Sequence, residues 1–139
     1  MPPATRRTLL RGAALASATA AGLGLTGCET RDPGDPELPT EPVELGPASE
    51  VPVGGARIYP EHKVLVSRPS EEDYRAYSAV CTHAGCVLSG TRDLEADCAC
   101  HGSRFDSATG RVLQGPAHES LPEIPLRSEN GRLIAGPAA

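Results

Sequence analysis

Two short stretches decide the fold and the chemistry of this chain: Cys81-Thr82-His83-Ala84-Gly85-Cys86 and Cys98-Ala99-Cys100-His101-Gly102-Ser103. Together they hold all but one of the five cysteines and half of the four histidines. Alternate residues of an extended segment point the same way, so Cys81 and His83 can share one face of a loop. The Cys98-x-x-His101 spacing is that of a tight turn, which brings a thiolate and an imidazole to one metal. We therefore predict a metal centre held between two loops.

Two other kinds of site use the same residue types. Structural zinc sites favour C-x2-4-C and H-x3-5-H spacings, which Cys81-x-His83 does not fit. A zinc site also leaves Cys86 and Cys100 without a role. A pure disulfide framework is possible in an exported chain, but it leaves both histidines without a role.

Both stretches resemble the cluster-binding motifs of the Rieske family, C-T-H-x-G-C and C-x-C-H-G-S, and the resemblance covers roughly residues 51–139. Members of that family carry a 2Fe–2S cluster with two Cys ligands on one iron and two His ligands on the other. The resemblance implies that Cys81 and Cys98 bind one iron. It implies that His83 and His101 bind the other. Replacing two thiolates by imidazoles raises the reduction potential.

The other two cysteines of the motifs, Cys86 and Cys100, match the disulfide of the quinol-oxidising branch of the family. The resemblance implies a bridge that links the two loops and shields the cluster. Disulfides persist in extracytoplasmic compartments, which agrees with the export signal predicted below.

Residues after the second motif are expected to tune the cluster. The resemblance assigns to Ser103 a hydroxyl that donates to a bridging sulfide, and Gly102 beside it lets the backbone approach closely. Phe105 stands where high-potential relatives carry a Tyr that donates to a Cys sulfur. Because Phe cannot donate, we expect a potential below that of the quinol-oxidising subunits. Gly115-Pro116-Ala117-His118 resembles the start of the family's proline loop, with His118 as a solvated loop residue.

The rest of the chain predicts an all-β fold, a small β-sandwich or barrel of Rieske type with a cluster-binding subdomain formed by the two loops. Gly and Pro are abundant, with 15 and 14 residues, and no stretch shows a sustained helical period. Asn130-Gly131 between two alternating runs predicts a hairpin. Short strands are expected at Arg57–Tyr59, Lys63–Ser67, Tyr74–Val80, Arg111–Leu113, Ile124–Arg127 and Arg132–Ala135.

The N-terminal segment has the features of an export signal. Arg6 and Arg7 precede an apolar stretch over residues 13–25, which is shorter than the ~20 residues of a membrane-spanning helix. The arginine pair resembles a twin-arginine signal, and Leu25-Thr26-Gly27-Cys28 resembles a bacterial lipobox. We therefore predict that residues 1–27 are removed and that Cys28 is lipidated, which accounts for the odd number of cysteines.

Residues 28–50 are rich in proline and acidic residues, so we predict that the lipidated N-terminus continues as a disordered tether. The 2Fe–2S domain is then expected over residues 51–139. The formal net charge of the whole chain is −5, and loss of the signal arginines makes the mature chain still more acidic. No nucleic acid partner is expected, since phosphate binding needs clustered Lys and Arg.

These features predict an exported one-electron carrier, lipid-anchored at the extracytoplasmic face of the bacterial cytoplasmic membrane, that works with a redox protein partner. Two alternatives stay open: the iron–sulfur subunit of a cytochrome bc-type quinol oxidase complex, and the small subunit of an exported oxidoreductase. The first is normally anchored by a transmembrane helix, which the sequence does not predict. A complete ring-hydroxylating oxygenase needs a further mononuclear iron site, for which only His62 and His118 remain.

Overall fold

The computed structural model describes residues 38–139. This part is almost entirely β-structure, with one short 3-10 turn at Ala48–Glu50. Its strands are β1 Val43–Pro47, β2 Gly55–Tyr59, β3 Val64–Arg68, β4 Arg75–Ser78, β5 Gly90–Arg92, β6 Glu95–Asp97, β7 Arg104–Asp106, β8 Val112–Gln114, β9 Glu123–Ile124, β10 Leu126–Glu129 and β11 Arg132–Ala135. Within residues 38–139, no helix has the length and apolar character needed to cross a bilayer.

The strands form three antiparallel sheets. A three-stranded sheet has the order β1-β11-β10, and a four-stranded sheet has the order β2-β3-β4-β9. The third sheet is a meander in the order β5-β6-β7-β8. The meander carries the site, because the first motif lies between β4 and β5 and the second joins β6 to β7. The predicted all-β fold with a subdomain built on two loops is confirmed.

Strand β3 is central because both of its faces are buried. Val64 and Val66 face one apolar core and Leu65 faces the other, as the two-residue period of a strand requires. Phe105 and Cys98 belong to the same core as Leu65. Each buried aliphatic side chain contributes about 1.5–3 kcal/mol to the free energy of unfolding. Strand β3 therefore stabilises both cores, including the one that contains Cys98 of the second motif.

The ordered domain begins earlier than predicted. Strand β1 pairs with β11, with Val43 opposite Ala135, and Leu45 is buried in the core. The prediction of a disordered tether is therefore wrong for residues 43–50. The proline-rich and acidic composition of this segment does not predict a strand. The strand forms because its backbone partners are offered by β11, near the C-terminus. The predicted signal, Cys28 and the first part of the tether lie outside the described residues.

Most of the predicted strands are present in the structure, and the predicted hairpin joins β10 to β11. Asn130 and Gly131 have φ of 50° and 74°, the positive values that such a tight turn requires. The sequence pattern does not predict strands β5, β6 and β7. Each has three residues and carries at least one charged side chain, so no alternating apolar pattern marks them.

Candidate metal centre

The two motifs form loops with the same backbone pattern, here called the first loop (residues 81–86) and the second loop (residues 98–103). In each, the N–H of the first residue donates to the carbonyl of the sixth, at 2.7 and 2.9 Å respectively. The N–H of the fifth residue donates to the carbonyl of the first, at 2.9 Å in both. That fifth residue is a glycine, Gly85 or Gly102, with φ of 78° or 85°, which residues with a Cβ rarely adopt. Cys81 and Cys98 thus occupy equivalent positions in the two loops.

Cys81 and Cys98 lie together beneath the loops. Both are free thiols with 2% of their surface exposed. Burial is the main cause that raises the pKa of the Cys98 thiol, the backbone N–H of Cys100 opposes it, and a hydrogen bond with the Cys81 thiol raises it further. A metal ion bound between the two sulfurs would supply the positive charge that allows both to be buried as thiolates.

His83 and His101 are exposed and face each other across the two loops. Their Nδ1 atoms are 3.2 Å apart, and their rings meet edge to face with an interplanar angle of 82°. Two nitrogens bound at about 2.1 Å to one tetrahedral metal ion would lie about 3.4 Å apart. The pair therefore fits a shared ion through Nδ1. The exposed rings leave Nε2 open to a partner molecule.

The thiol pair and the imidazole pair do not fit a single ion. The ligand atoms of one tetrahedral ion lie within about 4 Å of one another. Within residues 38–139, the one group of three ligand atoms mutually closer than 4.8 Å is Cys86, Cys98 and Cys100. Two of those three are joined in a disulfide and are not free ligands. The geometry thus argues against one zinc ion and fits two ions, one at each pair, as a 2Fe–2S cluster requires.

Cys86 and Cys100 form the disulfide that the resemblance implies. The bridge joins the first loop to the second across a sequence separation of 14 residues. Cys100 is exposed and Cys86 is half-buried, so the bridge covers the loops on their outer side. Its two sulfurs lie within 4.8 Å of the Cys98 sulfur, and it therefore holds the loops together beside a predicted ligand.

A third segment, residues 115–119, covers the two loops and is here called the covering loop. Ala117 donates its N–H to Ser103 Oγ at 3.0 Å, which ties the covering loop to the second loop. Thr82 Oγ1 donates to the carbonyl of Glu119 at 2.7 Å, which ties it to the first loop. Two side-chain hydroxyls thus fix the predicted proline loop over the predicted ligands.

Ser103 and Phe105 are both fully buried near the predicted ligands. The Ser103 hydroxyl accepts a hydrogen bond from Ala117, which leaves its own proton for an acceptor within the site. Phe105 packs in the apolar core that includes Cys81 and Cys98. Its ring supplies apolar contact and no hydrogen-bond donor.

The structure also places the remaining predicted residues. The His118 side chain is 83% exposed, as expected of a solvated loop residue. The sequence did not predict the part that Thr82 plays in tying the loops, or that of Gln114, whose Nε2 donates to the carbonyl of Gly102 at 3.0 Å. Thr82 lies inside the C-T-H-x-G-C motif, whereas no sequence signal marks Gln114, because its partner is a backbone atom of a distant residue.

Comparison with known proteins gives a family and several relatives. The model of the Rieske [2Fe-2S] domain matches residues 41–125. The cytochrome b6-f complex iron-sulfur subunit 1 of Trichormus variabilis is 38% identical over 86 residues, which are 61% of this chain and 47% of that protein. A Haloferax mediterranei protein described as a candidate Rieske subunit of a respiratory nitrate reductase is 47% identical over 64 residues, 45% of this chain and 29% of that protein. The matched region spans less than half the length of either relative.

Solved structures share the fold. The crystal structure of a plasma membrane Rieske protein from the cyanobacterium Synechocystis PCC 6803 matches with a TM-score of 0.54 and 24% identity. The match covers 68% of this chain and 99% of that one. At this identity the likeness concerns the fold alone.

Proposed function

The chain belongs to the Rieske [2Fe-2S] domain family and is an iron–sulfur electron-transfer protein, and from this premise we propose that it works as an exported one-electron carrier. Cys81 and Cys98 hold one iron of the cluster, and His83 and His101 hold the other. The observation that carries this assignment is the pairing of like ligands, two buried thiols and two imidazoles with Nδ1 atoms 3.2 Å apart.

When bound, the cluster accepts and releases one electron at a time. The side chains of this chain supply its surroundings. The core around Cys81 and Cys98 keeps water from the thiolates, and the buried Ser103 hydroxyl keeps a proton that it can donate within the site. His83 and His101 are the exposed ligands, so a partner that contacts Nε2 of either ring comes nearest to the electron.

The outer face of the bacterial cytoplasmic membrane is the proposed location. The support is the order of features at the N-terminus: Arg6-Arg7, an apolar stretch, and the lipobox-like run that ends at Cys28. The disulfide between Cys86 and Cys100 is consistent with an oxidising compartment. Cys28→Ser is expected to move the exported protein from the membrane fraction to the soluble fraction. Wild-type protein in the soluble fraction would contradict a lipid anchor.

The ligand assignment is tested by His83→Gln, with His62→Gln as a matched control in the exposed turn between β2 and β3. After reduction with dithionite, wild type and His62→Gln should show the low average g value of a His-ligated 2Fe–2S centre and about two irons per chain. His83→Gln should lose both. Full iron and an unchanged EPR spectrum in His83→Gln would contradict the assignment.

The second candidate function is the iron–sulfur subunit of a cytochrome bc-type quinol oxidase complex. It is favoured by the likeness to a cytochrome b6-f complex subunit of Trichormus variabilis. If the chain is such a subunit, protein purified from mildly solubilised membranes should carry haem absorption in fixed proportion to its iron–sulfur signal. Purification without haem would favour the separate carrier.

A further inference from the structure

We propose that Ser89 is a positioning residue for the ligand Cys98. The inference rests on the proposed cluster assignment. Ser89 lies between the first loop and β5, whereas Cys98 begins the second loop. The residue that orients one ligand thus comes from the chain segment that leaves the other loop.

The contacts of Ser89 bracket Cys98 on both sides. Its hydroxyl donates to the carbonyl of Asp97 at 3.0 Å and accepts the N–H of Ala99 at 2.9 Å. Its own N–H also donates to the Asp97 carbonyl, at 2.8 Å. That carbonyl and that N–H belong to the two peptide units attached to the Cys98 Cα. One hydroxyl therefore restrains the rotation of both, and with them the direction in which Cys98 presents its sulfur.

The orientation of these peptide units matters for the sulfur itself. Burial raises the pKa of the Cys98 thiol, and hydrogen bonding from the backbone N–H groups of Cys100 and His101 lowers it. Such hydrogen bonds favour the reduced, more negative form of an iron–sulfur site and so raise its potential. If the turn after Cys98 loosens, these hydrogen bonds lengthen and the potential falls.

Ser89 restrains a part of the second loop that the disulfide does not restrain. The bridge restrains the second loop at Cys100, two residues beyond the ligand, while Ser89 restrains the peptide units on either side of Cys98. Gly90, which follows Ser89, is opposite Asp97 in the ladder, and a Cβ there would lie 3.1 Å from the Asp97 carboxylate. The backbone of β5 therefore lies close to Asp97 at this junction, and the exposed Ser89 side chain reaches Cys98 through its hydrogen bonds and not through packing.

The test uses the full-length protein with its cluster and three variants. Ser89→Ala removes the hydroxyl, Ser89→Thr keeps it, and Ser128→Ala removes an exposed serine on β10, in a different sheet. Midpoint potential, EPR linewidth and the rate of iron loss to a chelator are measured for each. We expect Ser89→Ala to have a lower potential, broader lines and at least fivefold faster iron loss, since the hydroxyl makes two hydrogen bonds and the loss of one is worth about fivefold. Ser89→Thr and Ser128→Ala should match wild type.

Two outcomes overturn the inference while leaving the proposed function intact. In the first, Ser89→Ala matches a wild type that shows the His-ligated signal. In the second, Ser89→Thr behaves like Ser89→Ala, so that side-chain volume and not the hydroxyl matters. A wild type without the His-ligated signal would instead overturn the proposed function itself.

Discussion

At the level of single residues, the predicted ligands differ in exposure by type. Cys81 and Cys98 are buried, and His83 and His101 are exposed. The thiolates carry charge that water would stabilise, yet they are placed where only a bound metal and backbone N–H groups can do so. The neutral imidazoles lose little by facing water. The side of the site that carries the two histidines is therefore the side where contact with a redox partner has the smallest free-energy cost.

Phe105→Tyr tests how the residue beside the cysteines sets the potential. Phe105 shares a core with Cys98, and a tyrosine hydroxyl there is expected to donate to the sulfur. A hydrogen bond to a charged group is worth ~1.5–3 kcal/mol, and ~1.4 kcal/mol is about 59 mV for one electron. We expect a rise on the order of 60 mV, measured by redox titration.

The control for this change is Phe105→Leu, which alters the packing of the same core without adding a donor. Its potential should stay near the wild-type value while its thermal stability falls. A Phe105→Tyr protein with an unchanged potential would show that the missing hydroxyl does not lower the potential of this protein.

At the level of elements, the site is an assembly of three loops on the β5–β8 meander. The first and second loops are joined by the Cys86–Cys100 disulfide. The covering loop is joined to them by the hydroxyls of Thr82 and Ser103. Each connection runs between segments that are distant in sequence, so the position of each loop depends on the other two.

Thr82→Val tests the connection between the first loop and the covering loop. The change keeps the shape of the side chain and removes the donor to the Glu119 carbonyl. We expect a loss of about 1 kcal/mol in the free energy of closing the covering loop, seen as about fivefold faster iron loss to a chelator. Thr91→Val removes a similar hydrogen bond, to the Ala56 carbonyl, and should leave the rate of iron loss unchanged. Equal rates in the two variants would contradict a role for Thr82 in covering the site.

The paired substitution Cys86→Ser and Cys100→Ser tests the disulfide. Opening a loop of 14 residues is expected to lower the free energy of unfolding by about 3 kcal/mol. Denaturant unfolding of the double variant measures the loss, and wild type treated with a reductant should show a similar one. An unfolding free energy equal to that of oxidised wild type would show that the hydrogen bonds alone hold the loops.

At the level of the whole molecule, β3 connects the two apolar cores of the domain, one of which lies under the site. Its side chains alternate between two apolar cores. One core lies under the predicted ligands and contains Cys81 and Cys98, and the other contains residues of β1 and β11. A cavity in the first core should therefore weaken the fold and the site together.

Leu65→Ala tests that link. Leu65 is fully buried, so the cavity is expected to cost about 2–5 kcal/mol of unfolding free energy and to speed the loss of iron. Leu113→Ala is the matched control, because Leu113 is 49% exposed and should change stability by less than about 0.5 kcal/mol. The measurement is thermal unfolding, followed by absorption of the cluster and by circular dichroism. Separate transitions for cluster and backbone in Leu65→Ala would argue against a shared core.

The family of this protein was predictable from the sequence because it depends on residue types at short spacings. Cys81, His83, Cys98 and His101 lie within two six-residue motifs, and the glycines and the hairpin at Asn130-Gly131 are local conformational signals. The strands with alternating apolar residues were predictable for the same reason.

Tertiary structure alone decided what depends on distant partners. Strand β1 exists because β11 offers it a backbone ladder, and β5 to β7 exist because they pair with one another. The thiols and the imidazoles separate into two pairs because the two loops fold alike and face each other. Ser89 and Gln114 became visible as supports of the site once their carbonyl and amide partners were in place. Such hydrogen bonds leave no pattern in a sequence, since one partner is always a backbone atom.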